Sequence, residues 1–345
     1  MQLTWDVHSA NTRHPFIIAR GGQATWPLIW VRLRDADGVE GWGEAAPSRF
    51  YGETSDSVVA ALQRFAPLLE GADGWSLEAI EREIGSALRW NAAAKVAVSA
   101  ALHDLHGKRL GVPLWKLWGL SPAEAPPSSF TIAIAPDEAT LRARVRDAAG
   151  YPVLKVKLGS PRDREILRIV REEAPTAVLR VDANAAWTPK GTLAMLDTLV
   201  QHGVELLEQP LAPHDLEGFR FVRQHAPMPV FADESCLVAT DVARLAGAVD
   251  GINLKLMKCG SLREALRMIA TARAHGLQVM AGCMIESTLG IAAAAHFAPL
   301  LDFADLDGAA LLADDPFTGP TIATPGALGT IVLGDAPGLG VTRRA

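Results

Sequence analysis

From residue 129 onward, short apolar runs alternate with helical patterns, and this alternation restricts the possible folds more than any other feature. The runs are SFTIAIA (129–135), YPVLKVKL (151–158), TAVLRVDA (176–183), GVELLEQ (203–209), MPVFADE (228–234), DGINLKL (250–256), LQVMAG (277–282) and LDFADLD (301–307). They are apolar on successive residues, as expected of strands covered on both faces in a parallel sheet. The intervening segments, such as PRDREILRIVREEA and SLREALRMIATARAHG, carry helical spacing. Eight strands and seven clear helices, about 25 residues per unit, predict an α/β fold. Eight units favour closure into a (β/α)8-type barrel over an open, doubly wound sheet. The last stretch, GALGTIVLGDAPGLGV, holds too little helix for another unit and is expected to return to the first domain.

The first 120 residues read differently, as an α+β domain. Two apolar-rich segments flank Asp35-Ala36-Asp37-Gly38 within 27–46, a strong hairpin signal. Helical patterns follow at 55–69, 76–88 and 91–108, and the Pro/Ser-rich segment 121–129 reads as a linker. The expected organisation is a domain over 1–120, joined by 320–345, and a barrel over 121–319. A chain of 345 residues suits two domains.

A net charge of −6 argues against non-specific nucleic-acid binding. No apolar run is long enough to span a membrane, and the start shows no signal-peptide pattern. Cys236, Cys259 and Cys283 are widely spaced and fit neither a disulfide framework nor a zinc site. They are expected to be structural, in a reducing cytoplasm. A homo-oligomer is left open.

Active sites of barrels lie at the C-terminal ends of the strands. Those ends read Lys155-Val156-Lys157, Asp182-Ala183-Asn184, Glu208-Gln209, Asp233-Glu234, Lys255 and Asp305-Leu306-Asp307. Three successive strands thus offer Asp182, Glu208 and Asp233 at one level. Three close carboxylates do not all ionise unaided, and an all-oxygen set points to Mg²⁺, with Mn²⁺ as the alternative. The plain alternative for each acid is a salt bridge or a helix cap.

Lys157 and Lys255 fall on opposite sides of the barrel, with the acidic strands between them. Lys155 points the same way as Lys157 and could depress its pKa or meet an anionic substrate. Lys258 reads as a solvated residue at the start of the next helix. A cation between two opposed lysines suggests removal of the proton α to a carboxylate, through an enediolate, and its return on the other face. Asp305 and Asp307 would attract a cation such as a substrate ammonium; a helix N-cap before Gly308 is the structural alternative.

The strings KVKLG, VDANAAW, LLEQP, FADES and INLKLMKCGS resemble the enolase superfamily, in its muconate-lactonising subgroup. Within it, GCMIESTLGIAAAAHFA (282–298), DLDGAALL (305–312) and PGLGV (337–341) resemble the dipeptide epimerases, including L-Ala-D/L-Glu epimerases. RGG near residue 20, WGEAAP, YGET and NAAAKVAVSAALHD extend the likeness over almost the whole chain. The resemblance implies a modified, enolase-like barrel under an N-terminal capping domain. It implies Asp182, Glu208 and Asp233 as metal ligands, with Asn184 and Glu234 orienting them. Lys157 and Lys255 become the acid/base pair, with Lys155 in support, and Asp305 and Asp307 the partners of a dipeptide's ammonium. Thr131 and the loop Cys283-Met284-Ile285 are expected to line the pocket. Capping loops near 15–25 and 47–54 would exclude water and read the side chain. A basic residue near 20–24 serves glutamate in that family; here Arg20 is a loose match and Gln23 would make neutral contacts.

The leading expectation is therefore a Mg²⁺-dependent epimerase of L-Ala-D/L-Glu. Other dipeptides, N-acylamino acid racemisation, o-succinylbenzoate synthesis and muconate lactonisation use the same metal and lysines, but Asp305 and Asp307 suit a free ammonium. A catalytically silent barrel serving as a binding protein is the non-enzymatic alternative.

Overall fold

The computed structural model describes residues 1–344. In chain order the N-terminal part holds β1 (Gln2–Ile18), β2 (Gly21–Arg34) and β3 (Glu40–Ala45). Helices α1 (Ser55–Leu69), α2 (Leu77–Ala87), α3 (Ala92–Leu110) and the single turn α4 (Leu114–Leu117) follow. The three strands form an antiparallel sheet in the order β1-β2-β3. The 27–46 hairpin is β2–β3, its turn pinned by Val39 N–H donating to Asp35 Oδ1 at 2.8 Å. A Thr54/Ser57 capping box starts α1. Alanine-rich α3 lies directly on β3. A Cβ at Gly43 would stand 2.0 Å from the Ala97 carbonyl oxygen, so only glycine lets sheet and helix meet.

The expected loop at 15–25 is instead a hairpin tip. β1 runs to Ile18 and β2 starts at Gly21. Its outer residues lie largely outside the core, so little apolar alternation marked it in the sequence.

The barrel follows as β4 (Phe130–Ile132), α5 (Glu138–Asp147), β5 (Val153–Lys157), α6 (Asp163–Glu173), β6 (Val178–Asp182), α7 (Pro189–Gln201), β7 (Val204–Glu208) and α8 (Leu216–His225). It continues with β8 (Val230–Ala232), α9 (Ala239–Leu245), β9 (Gly251–Lys255), the short α10 (Leu256–Cys259), α11 (Leu262–Ala274), β10 (Gln278–Gly282), α12 (Thr288–Ala295) and β11 (Phe303–Asp305). All eight strand candidates are present, in sequential order and parallel. The ring nearly closes where Ser128 bridges Ala304 and Ser129 N–H donates to the Ala304 carbonyl at 2.9 Å. That closure excludes the open, doubly wound sheet. The strands are shorter than the apolar runs because each run continues into its loop.

The C-terminal stretch packs against the N-terminal part. β12 (Phe317–Thr318) pairs with β13 (Thr342–Arg343), and Phe317 sets its ring edge-on to Trp30 at 4.9 Å. Leu339 N–H donates to Asp104 Oδ1 of α3 at 2.8 Å. Among the described residues no helix is long and apolar enough to cross a membrane.

Candidate active site

The register of the barrel sets the layer on which the polar side chains stand. Lys157 pairs with Asp182, and Asp182 with Glu208. Across the ring, Gly282 pairs with both Lys255 and Asp305. Asp233 follows directly on β8. Gly282 has to be small: a Cβ there would lie 2.7 Å from Asn253 Oδ1 and 3.0 Å from Lys255 Cε. Above this layer, beneath the N-terminal sheet and its hairpin tip, lies a cavity of about 930 Å³.

Lys157, Lys255, Asp233, Glu234, Asn184, Asp305, Asp307, Thr131, Cys283, Met284, Ile285, Arg20 and Gln23 all line this cavity. Lys155, Asp182 and Glu208 lie beneath it, each 0% exposed. Lys157 Nζ donates to Asp182 Oδ2 at 2.6 Å, and Lys255 Nζ to Asp233 Oδ2 at 2.8 Å. Lys155 Nζ stands 2.7 Å from both Asp305 Oδ2 and Glu208 Oε2. Lys258, expected at a solvated mouth, is 5% exposed and donates to Asp233 Oδ1 at 2.6 Å. The single-turn helix α10 turns its side chain inward, a placement that strand-end reading does not reveal.

Burial opposes charge on the three carboxylates and on Lys155, and the neighbouring charges decide how far each one gives way. Against burial, Lys157 and Lys155 hold Asp182 down at about 2. Lys255 and Lys258 likewise outweigh burial and hold Asp233 well below the usual carboxylate range. Burial and the neighbouring Asp182 push Glu208 up to about 8. Despite its own burial, Lys155 is kept charged by Asp305 and Glu208.

This cluster fits a metal ion. Asp182, Glu208 and Asp233 each offer a carboxylate oxygen within 4.8 Å of the others. Glu208 Oε2 meets Lys155 Nζ alone, at 2.7 Å, and a carboxylate oxygen keeps a second lone pair to offer. A buried set of oxygen donors alone suits a hard divalent cation.

Backbone strain collects at the same strand ends. Asn184, Ala185 and Gln209 adopt φ of 45°, 63° and 37°, sparsely populated values for these residues. Asn184 Nδ2 donates to Asp182 Oδ2 at 3.1 Å. Gln209, which motif reading passed over, accepts from Asp233 N–H at 2.7 Å and so fixes the start of that loop. Asp307 lies just past β11 rather than within the strand, accepts Thr131 N–H at 2.6 Å, and is raised to about 6 by burial and by Asp305.

Arg20 reaches down from the hairpin tip. Its guanidinium donates to Asn184 O at 2.6 Å and to Glu234 Oε1 at 2.7 Å, and it lies over the Phe50 ring. Tyr51 also lines the cavity, and its hydroxyl is raised by burial and by the nearby charges of Asp233 and Glu234. Glu44 of β3 is another residue that the sequence did not single out. It is 1% exposed and accepts from Trp30 Nε1 at 3.1 Å, Ser287 N–H at 2.8 Å and the Ser287 hydroxyl. It thereby ties the N-terminal sheet to the loop that carries Cys283, Met284 and Ile285. The three cysteines are free thiols, and burial pushes Cys236 and Cys259 up to about 12.

Comparison with known proteins identifies the family. Residues 3–119 match the mandelate racemase/muconate lactonizing enzyme N-terminal domain, and residues 138–344 match the enolase C-terminal domain-like family. The L-Ala-D/L-Glu epimerase of Bacteroides thetaiotaomicron is 40% identical over 99% of this chain and 88% of its own length. The hydrophobic dipeptide epimerase of Roseobacter litoralis is also 40% identical, over 99% of this chain and 98% of its own. The crystal structure of a dipeptide epimerase from Enterococcus faecalis, complexed with Mg and L-Leu-L-Tyr, superposes with a TM-score of 0.93 at 32% identity, covering 99% of each chain. The chain belongs to the mandelate racemase/muconate lactonizing enzyme family of the enolase superfamily and is an isomerase of the racemase and epimerase class.

Proposed function

We propose that this enzyme is a Mg²⁺-dependent dipeptide epimerase that inverts the α-carbon of the C-terminal residue, with L-Ala-D/L-Glu as the leading substrate. One observation carries the reading. Two lysine amines enter a single cavity from opposite sides of the barrel, on β5 and β9, above three buried carboxylates. Lys157 meets one face of the α-carbon and Lys255 the other, so a proton taken by one is returned by its opposite. A divalent cation, Mg²⁺ or Mn²⁺, held by Asp182, Glu208 and Asp233, supplies positive charge against the enediolate that proton removal creates. Lys155 adds fixed positive charge beside that position. Asn184 and Glu234 orient the carboxylate cluster. Asp305 and Asp307 receive the dipeptide's ammonium, and Thr131 with the 283–285 loop shapes the wall.

The capping wall supports two side-chain readings. Arg49 lines the cavity, and among the described residues it has no carboxylate partner, so it suits a glutamate side chain. Arg20 has its guanidinium turned onto Glu234; in this reading it clamps the lid and Gln23 meets substrate. Phe16, Ile18 and Phe50 in the same wall favour the second reading, an apolar C-terminal residue. The two relatives with different named dipeptides are equally similar, so identity does not choose between these. We place 1–120 with 320–345 in the capping unit and 121–319 in the barrel. Free cysteines support a cytoplasmic location.

Proton NMR in D₂O tests the proposal. L-Ala-L-Glu with enzyme and Mg²⁺ is expected to exchange its C-terminal α-proton for deuterium and form the L,D epimer. Absence of exchange across acidic, cationic and apolar dipeptides rules the reading out.

A further inference from the structure

Beside the main cavity lies a second one of about 270 Å³, framed by β1, β4, the start of its loop, and α5. The two share Phe16, Thr131 and Leu311 in their walls, so the smaller, here called the annex, adjoins the larger. Arg144 of α5 lines the annex and is only 8% exposed. Its Nη1 donates to the carbonyls of Ile134 (3.1 Å) and, more weakly, Ala133 (3.4 Å), while its Nε is buried with no acceptor. Among the described residues no carboxylate lies within 4.0 Å of its guanidinium. Its neighbours on α5 contrast with it: Arg142 and Arg146 both lie 2.8 Å from Glu173. A guanidinium stays charged at any working pH, and burying one without an anion is costly.

Arg13 adds a second guanidinium to the annex wall, its Nε donating to Leu312 O at 3.0 Å. The one carboxylate in that wall, Asp147, is largely exposed and lies 3.2 Å from His14 Nε2. The annex therefore carries an excess of positive charge from planar donors, which match a carboxylate. Its position is equally specific. Thr131 lines both cavities, and its N–H is held by Asp307.

Resting on the dipeptide reading, in which Asp305 and Asp307 hold the substrate ammonium, we propose that the annex is a subsite for the side-chain carboxylate of an acidic N-terminal residue, paired with Arg144. The substrate class then extends to dipeptides beginning with glutamate or aspartate.

The test compares L-Glu-X with its neutral isostere L-Gln-X and with L-Ala-X, where X is Glu or Leu. Epimerisation is followed by α-proton exchange with Mg²⁺ present. The wild-type enzyme is expected to favour L-Glu-X over L-Gln-X about tenfold or more, through KM rather than kcat. In Arg144→Met that preference is expected to collapse, and in Arg144→Lys to return in part. If the wild type treats L-Glu-X and L-Gln-X alike, the subsite does not exist; this comparison needs no variant to fold. An unchanged preference in folded Arg144→Met overturns the assignment to Arg144. Exchange of L-Ala-X without Glu/Gln discrimination fells this inference alone, whereas absence of exchange with every dipeptide fells the functional reading beneath it.

Discussion

The barrel floor and the capping wall face the same cavity but are built on different terms. On the floor, Lys155, Asp182 and Glu208 are 0% exposed, and neighbouring charges lie within 2.6 to 3.4 Å. In the wall, Phe50 is 44% exposed, and the Arg20 side chain 31%. Buried charges on short, paired strands have one low-energy arrangement, since any displacement leaves a charge uncompensated. Side chains on a hairpin tip and on the single 3₁₀ turn Arg49–Tyr51 can be exchanged without disturbing the core. In our reading the floor therefore sets the reaction and the wall sets the side chain that it accepts.

Four substitutions would break or sharpen this contrast. The largest effect belongs to the floor. Lys157→Ala and Lys255→Ala should each lower the epimerisation rate by about 10²–10⁴-fold, the usual worth of a positioned acid/base group. Steady-state kinetics would show it, and one variant is expected to retain exchange of a single epimer in D₂O. Near-wild-type rates in both would end the two-lysine reading.

A middle effect belongs to Glu44, where wall and floor are joined. Burial, reinforced by Glu286, outweighs the Ser287 donors and raises its carboxyl to about 8. An unfolded glutamate titrates near ~4.3. Between those values the folded protein holds a proton that the unfolded chain has lost, so this group's contribution to stability falls as pH rises through the window and is level above it. Glu44→Gln imitates the neutral acid. Its melting temperature should decline less than that of the wild type between pH 5 and 8, as followed by calorimetry. Parallel pH profiles for the two proteins would refute the shift.

The smallest effect belongs to the wall itself. Gln23→Ala should change KM by about two- to fivefold, leave kcat nearly unaltered, and alter the ranking of C-terminal side chains. A loss of kcat comparable to that of the lysine variants would erase the distinction between floor and wall.

Legibility followed the same division. A parallel strand covered on both faces has to be apolar throughout, so eight such runs could be counted directly. Their ends then placed Lys157, Asp182, Glu208, Asp233 and Lys255 around one ring, where the structure also has them. The start of β1 alternates, with Leu3, Trp5 and Val7 set between Thr4, Asp6 and His8, but the largely polar run 9–15 interrupts it, so no continuous signal marks a strand that reaches Ile18. Lys258 was misjudged because its direction depends on how one short helical turn leaves β9. Gln209 and Glu44 stand within the strings LLEQP and WGEAAP, but nothing marked their task, because a residue that works by gripping a loop distant in sequence has no local pattern.

By itself the amino-acid order determined the eight strand-helix units and the acids and lysines at their ends, and favoured closure of the barrel, because backbone hydrogen bonding and burial act with a short, regular period. Only the tertiary structure decided which charges meet. It turned Arg20 onto Glu234, tied Glu44 to Ser287, and left Arg144 buried with no carboxylate in ion-pair contact and only Asp137 near enough to be felt, while Arg142 and Arg146 found Glu173. Those pairings join residues far apart in the chain or on different faces of one helix, and such distances are set by packing rather than by sequence spacing.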